Sequence, residues 1–320
     1  MDTGSHLLFG ATLAGLAYLD PAVAHHSGIG LALIAGTMIG SHAPDLDMVV
    51  RLKSYSAYVK HHRGLSHSIP ALFLWPLVIA FPLALIFHVM PLAGHLYFWT
   101  MIAVMLHVLL DLFNAYGVQC ARPFSNRWLH LDTLALFEPF LIVLHVSGLG
   151  LWLWTDLSPG PLFAWIYGLT FVYMACRYWH RRFIARAVRE VLKMSGRVKL
   201  VPGLYWFKWQ YLMEDQDYYY TGHVRYKHVT VQDKYERAQN HLVIEATKGT
   251  DGVRAFLQLA QNIHVRFTER ENGYEVQWRD VRFWHNQKLP FGADVILDRN
   301  LNVISDRVGW NKKYWDPPYV

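Results

Sequence analysis

Cysteine is nearly missing from this chain. Cys120 and Cys176 are the two in 320 residues, and neither lies in a C-x-x-C pair. A disulfide framework and a thiolate zinc finger are therefore excluded. Positive charge is nearly missing from the first half. Residues 1 to 176 hold six Lys or Arg (Arg51, Lys53, Lys60, Arg63, Arg122, Arg127), and the rest of the 30 follow Cys176. Met1-Asp2 lacks a basic stretch, so no cleavable signal is expected.

What is present is apolar: 53% of the chain. Five charge-poor segments have the length and composition of spans or near-spans: Gly28 to Ile39, Ile69 to Met90, Leu96 to Phe113, Leu134 to Trp154 and Pro161 to Cys176. A shorter one, Leu7 to Leu19, makes a possible sixth. The first pair is rich in Gly and Ala, which lets helices approach closely in lipid. Pro76 and Pro82 interrupt the second long span, which neighbouring helices can accommodate. The expected architecture is an α-helical multi-pass membrane domain of five to six helices (1–176), a basic interfacial helix or linker (177–200) and a small β-rich soluble domain (201–320).

Basic residues fall in the connections 51–63 and 117–128 and after Cys176, and none fall in 20–27, 88–95 or 156–160. The positive-inside rule then places both termini in the cytoplasm of an inner-membrane protein. Residues 178 to 195 alternate an apolar stripe (Ile184, Ala187, Val188, Val191, Leu192) with a basic one (Arg182, Arg186, Arg189, Lys193). That pattern fits a helix lying on anionic headgroups over 177–193, or one docked on the soluble domain. The net charge of +6 is accounted for by a lipid surface, and no nucleic-acid partner is expected.

Past Pro202 the pattern turns to strands. Val265-Phe267 and Tyr274-Val276-Trp278 flank Glu271-Asn272-Gly273, a hairpin signal. Val295 to Leu297 and Val303 to Ser305 suggest a second hairpin, and Asp251 to Gln261 a short helix. The aromatic residues there (Tyr218, Tyr219, Tyr220, Trp278, Trp284, Trp310, Trp315) suit a core or an interface. No motif in this domain carries chemistry, and its protein partner is unknown.

Chemistry concentrates in the first half. His107 and Asp111 are four apart in an apolar helix and share a side, which suits zinc or another divalent metal. The alternative is an Asp that fixes a His tautomer. Asp45 and Asp47 follow Pro44 and can converge only on a loop. No EF-hand fits, because no turn Gly or terminal Glu follows. The remaining alternative for this pair is helix capping. His61, His62 and His67 flank Arg63-Gly64, where Gly permits a tight turn and Arg suits a phosphate. A hydrated loop reading anionic lipid is the other reading of that segment. Ser66 is a candidate cap for the helix that follows. Asp132 and Glu138 lie where the fourth helix enters the membrane, and either could complete a shell, act as base or hold a ligand His in place. By the same topology His6, Asp45, Asp47, His62, His67, Asp111, Asp132 and Glu138 fall toward one face, with His107 a turn deeper.

The order His6, His42-x-x-Asp45-x-Asp47, His62-Arg63-Gly64-x-Ser66-His67, His107-x-x-x-Asp111 resembles the YdjM/YfhP-like family of membrane-bound metal-dependent hydrolases over about the first 140 to 180 residues. It is more remotely similar to zinc-dependent phospholipase C and the P1-type nucleases. The likeness implies that Asp45 and His62 (or His67) with His107 hold one metal. Asp111 would bridge to a second, supported by His6. The candidate ligands are His6, His42, Asp45, His62, His67, His107 and Asp111; the candidate catalytic residues are Asp47, Arg63 and Asp132. One or two divalent ions are expected, zinc first, with manganese and iron as alternatives. The expected activity is hydrolysis of a phosphoester, lipid or other amphiphile, by a metal-activated water at the cytoplasmic face. The alternative is a non-catalytic, metal-stabilised scaffold that recruits a partner through its C-terminal domain.

Overall fold

A computed structural model describes residues 1–26, 28–194, 196–238 and 240–311, so Trp315 lies outside the described residues. The chain divides into two compact units. The first comprises Met1–Asp47 and Arg63–His180; the second takes in Met48–His62 and the chain from Arg181 on.

The first unit is helical: α1 (Thr3–Leu16), α2 (Gly30–Gly40), α3 (Ile69–Ile86), α4 (Ala93–Leu112), α5 (Pro139–Trp154) and the first part of α6 (Pro159–Leu192). The segments containing α3 and α4, together with α6, are long and apolar enough to cross a membrane, while α2 and α5 are shorter apolar helices. Asp2 starts α1 by accepting the Ser5 amide at 3.1 Å. The apolar helix expected from Leu134 begins at Pro139 instead, because residues 131–134 pair back onto the end of α4. Leu131 N donates to Leu112 O at 2.8 Å, and Thr133 N to Phe113 O at 2.8 Å.

Phe9, Leu13, Leu33, Leu96, Ala103, Leu110, Leu141 and Phe163 form the core of this unit. Small residues set the spacing. A Cβ on Gly15 would lie 2.2 Å from the Phe163 ring, and one on Gly148 would lie 2.2 Å from Ile166 Cδ1. Close backbone approach of this kind is how apolar helices pack where lipid removes the hydrophobic drive. Gly15→Val is expected to cost roughly 1–3 kcal/mol by overpacking. A thermal melt in detergent would show it, and an unchanged midpoint would refute this packing.

Buried His145 uses both ring nitrogens. His145 Nδ1 meets Thr12 Oγ1 at 2.8 Å and its Nε2 meets Thr170 Oγ1 at 2.9 Å, tying α1, α5 and α6 together.

The second unit holds two antiparallel sheets. Strands β1 (Arg197–Pro202), β2 (Lys208–Glu214), β3 (Tyr218–Arg225) and β4 (His228–Glu236) run in order, as do β5 (Ile263–Arg270), β6 (Gly273–Asp280), β7 (Phe291–Asp298) and β8 (Val303–Trp310). Helix α7 (Asp251–Leu259) buries Val253 and Phe256 against the second sheet.

Both expected hairpins are present. In the first, Arg270 pairs with Gly273, so the turn is Glu271-Asn272 and Gly273 opens the strand. Gly273 has φ +150°, and a Cβ there would lie 1.9 Å from Leu297 O, so close strand approach requires glycine. The first sheet begins at Arg197, ahead of the expected change at Pro202.

The basic segment is not a separate helix; it continues α6 to Leu192. Ile184 and Val188, from the apolar stripe, are buried with Leu200, Trp209, Tyr211 and Val224 of the first sheet. The sheet thus covers Ile184 and Val188, whereas Val191 of the same stripe is exposed. Arg182, Arg186 and Arg189 remain exposed.

Candidate metal centre

Four side chains from three segments converge in the first unit. His107 and Asp111 lie one turn apart near the end of α4. Asp45 follows Pro44 in the 3₁₀ segment Ala43–Leu52, and His67 closes the short turn Leu65–His67 just before α3. His67, His107 and Asp111 have fully buried side chains, while the Asp45 side chain is 13% exposed, so the site opens at Asp45.

The hydrogen bonds assign both imidazole tautomers. His107 Nδ1 donates to Ser41 O at 2.7 Å. Ser66 Oγ donates to Asp47 Oδ2 at 2.5 Å, so it accepts from His67 Nδ1 at 2.9 Å. Each neutral ring then carries its lone pair on Nε2, and the two Nε2 atoms face each other at 3.3 Å. Burial lowers His67 below its usual value and favours this neutral, metal-binding form.

Asp45 Oδ1 lies 3.6 Å from each Nε2, and Asp111 Oδ2 lies 3.5 Å from His67 Nε2 and 3.6 Å from His107 Nε2. Both carboxylate oxygens are buried without a hydrogen-bond partner among the described residues. Four lone-pair donors thus converge with no proton between them, which calls for a cation. Separations of 3.3–3.6 Å among them bring nitrogen and carboxylate oxygen donors, the kinds that zinc accepts, close enough to share one cation. This buried Asp/His/His/Asp cluster could hold a metal ion.

The other candidates sit around it. His6 stacks on His107 with centroids 3.8 Å apart, and its Nε2 lies 3.4 Å from Asp111 Oδ1. That same oxygen takes Arg63 Nη2 at 3.0 Å and the Met1 amino group. The Met1 amino group also lies 2.9 Å from His6 Nε2. Asp111 thus turns one oxygen to the cluster and the other to fixed positive charge. Arg63 takes the left-handed backbone conformation at φ +59°, whereas Gly64 stays at φ −95°. The turn is carried by the arginine because Asp47 Oδ2 accepts its N–H at 3.0 Å and its carbonyl accepts Gln119 N at 3.0 Å. Ser66 is no helix cap; it links Asp47 to His67, and Ser68 precedes α3.

His42 lies two residues before Pro44 on the approach to Asp45, and its carbonyl accepts the Asp45 amide at 3.0 Å. His62 belongs to the second unit, where its ring stacks on Tyr58 at 4.6 Å. Asp132 bonds His130 Nδ1 at 2.6 Å. Glu138 accepts from Tyr173 at 2.6 Å and faces Arg177 at 3.5 Å.

This helical half, with its buried cluster, matches the family described as YdjM inner membrane protein over residues 1–184. The chain belongs to the YdjM inner membrane protein family. Residues 242–315 match the YfhP C-terminal alpha/beta plait domain. The chain is also similar to the protein YfhP of Bacillus subtilis (strain 168), with 33% identity over 315 residues, covering 97% of this chain and 95% of that protein. No solved structure matches the chain. Family and apolar helices together make this a membrane protein.

Proposed function

We propose that this protein is a membrane-bound, metal-dependent phosphoester hydrolase working at the cytoplasmic face. The observation that carries the reading is a buried cluster of nitrogen and oxygen donors, without thiolate, that opens at Asp45 beside the Arg63 guanidinium. Structural zinc sites are typically rich in Cys, whereas His and carboxylate sets are usual in catalytic ones. A bound divalent ion would supply Lewis acidity, lowering the pKa of a water and polarising the ester.

The chain's own residues prepare that chemistry. Asp47 acts through Ser66 to hold His67 in register, which makes it a positioning residue rather than a base. The Ser41 carbonyl does the same for His107. Arg63 contributes fixed positive charge toward the phosphoryl oxygens. Water adds its oxygen to phosphorus, the ester P–O bond breaks, and the released alkoxide takes up a proton. The cytoplasmic placement is supported by the basic connections at 51–63 and 117–128 and the arginines after Cys176.

One observation favours a second reading. Four protein donors converge, the number that structural sites use, which suits a metal-stabilised scaffold. Hydrolysis of bis(p-nitrophenyl) phosphate by zinc- or manganese-loaded protein in detergent separates the two. Asp47→Asn is expected to lower metal affinity by about 10–100-fold, the usual effect of losing a supporting group, with activity restored at high metal. Metal-loaded protein with no turnover would leave the scaffold.

A further inference from the structure

The loop that supplies His67 is continuous with a lipid-facing surface. Among the described residues of the first unit, Leu65, Ile69, Phe73, Leu77 and Phe81 recur every fourth position, and all are exposed. This row starts two residues before the ligand His67 and descends the outer side of α3, a helix apolar enough to cross a membrane. The opposite side of α3 buries Ala71, Ile79, Ala80 and Ala84. Leu46 lies between Asp45 and Asp47 and is also exposed. Asp47 clasps the Leu65 loop through Arg63 N and Ser66 Oγ, so Leu46 and Leu65 each sit one residue from this contact. Leu65, 66% exposed, projects from a loop whose neighbours His67 and Arg63 are buried.

Beside the cluster, exposed Leu46 and Leu65 lead into the exposed apolar side of a helix long enough to cross a membrane. Charge and apolar surface are thus arranged in the order of an amphiphile, with a cation-binding cluster and Arg63 inside and a leucine-phenylalanine track leading away into the bilayer.

We infer that the substrate is a membrane-resident phosphoester with a long acyl or alkyl chain, entering laterally between Leu46 and Leu65 with its tail along the α3 row. This rests on the hydrolase reading above and names its substrate class. The headgroup beyond the phosphate is left to the chemistry of the ester.

Two esters that differ in the tail alone test it: p-nitrophenyl methyl phosphate and p-nitrophenyl hexadecyl phosphate, offered to the metal-loaded full chain in lipid nanodiscs. The expected result is a kcat/KM higher on the order of 100-fold for the hexadecyl ester, from contact of the chain with the apolar track. Leu46→Asn with Leu65→Asn, which adds no charge, should reduce that preference below about ten-fold. An independent readout uses Leu65→Cys carrying an environment-sensitive fluorophore, in a Cys120→Ser/Cys176→Ser background. Lipids brominated at mid-chain should quench it, and aqueous iodide should not. Equal turnover of the two esters, or quenching by iodide and not by bromolipid, would overturn the inference while the hydrolase stands. Cleavage of neither ester would remove the hydrolase reading and this substrate class with it.

Discussion

His107→Ala is expected to empty the centre of metal. The imidazole Nε2 of His107 lies within 3.3–3.6 Å of the other three donors. Loss of a supporting group alone costs about 10–100-fold in metal affinity; loss of the donor itself should exceed the upper end of that range. Wild-type protein purified with metal in the medium should carry one equivalent per chain by elemental analysis, and the variant should carry almost none after a chelator wash. His6→Ala should behave differently: it touches Asp111 and His107 from outside the cluster, so it should weaken binding yet leave a loaded site at high metal. Wild-type protein that retains no metal and takes up none would sink the centre altogether.

Arg177→Met is expected to cause the largest loss of stability. Arg177 is fully buried in α6 and faces Glu138, itself buried, at 3.5 Å. Glu138 also accepts from Tyr173 Oη at 2.6 Å and from Ala135 N at 2.7 Å. Removing the guanidinium leaves a carboxylate in an apolar surround, which typically costs about 3–5 kcal/mol. For a domain of this size that corresponds to a fall of roughly 6–20 °C in Tm. The double variant Glu138→Gln/Arg177→Met should recover most of the loss, because the remaining group is neutral and its amide oxygen still accepts one of the two bonds. A single variant no less stable than the double would show that the pair is not the stabilising element. Metal content should stay near wild type in both, since Glu138 lies outside the donor cluster.

Much of this molecule is legible in the order of its residues. Long apolar runs without charge cannot satisfy their backbone in lipid except as helices, so the locations of α3, α4 and the start of α6 follow from composition. His107 and Asp111 share a helix, so their common side follows from helical spacing alone. The Asp251 helix and the two late hairpins follow from local pattern. The four strands from Arg197 to Glu236 did not stand out, because tyrosines and charged residues mix on them and their burial depends on a helix and a second sheet.

The choice among His61, His62 and His67 was not legible at all. Three histidines within seven residues offer the same chemistry. What selects His67 for the four-donor cluster is a through-space bond from Asp47, sixteen or more residues away, that pins Arg63 and Ser66. The role of Ser66 was hidden for the same reason, since a serine before a proline-started helix reads as a cap until its hydroxyl is seen to face a carboxylate. Asp132 and Glu138 carry the right charge near the right helix, but each is matched to a nearer partner, His130 and Arg177.

Residue order alone determined that this chain enters a membrane, that its donors are imidazoles and carboxylates, and that they lie in the charge-poor half. Hydropathy and helical period act locally and need no fold to operate. Only the tertiary structure decided which donors meet, how the histidine protons are placed, and where the opening points. Those depend on contacts between segments dozens of residues apart, and a ligand set is a property of distances that no spacing along the chain contains.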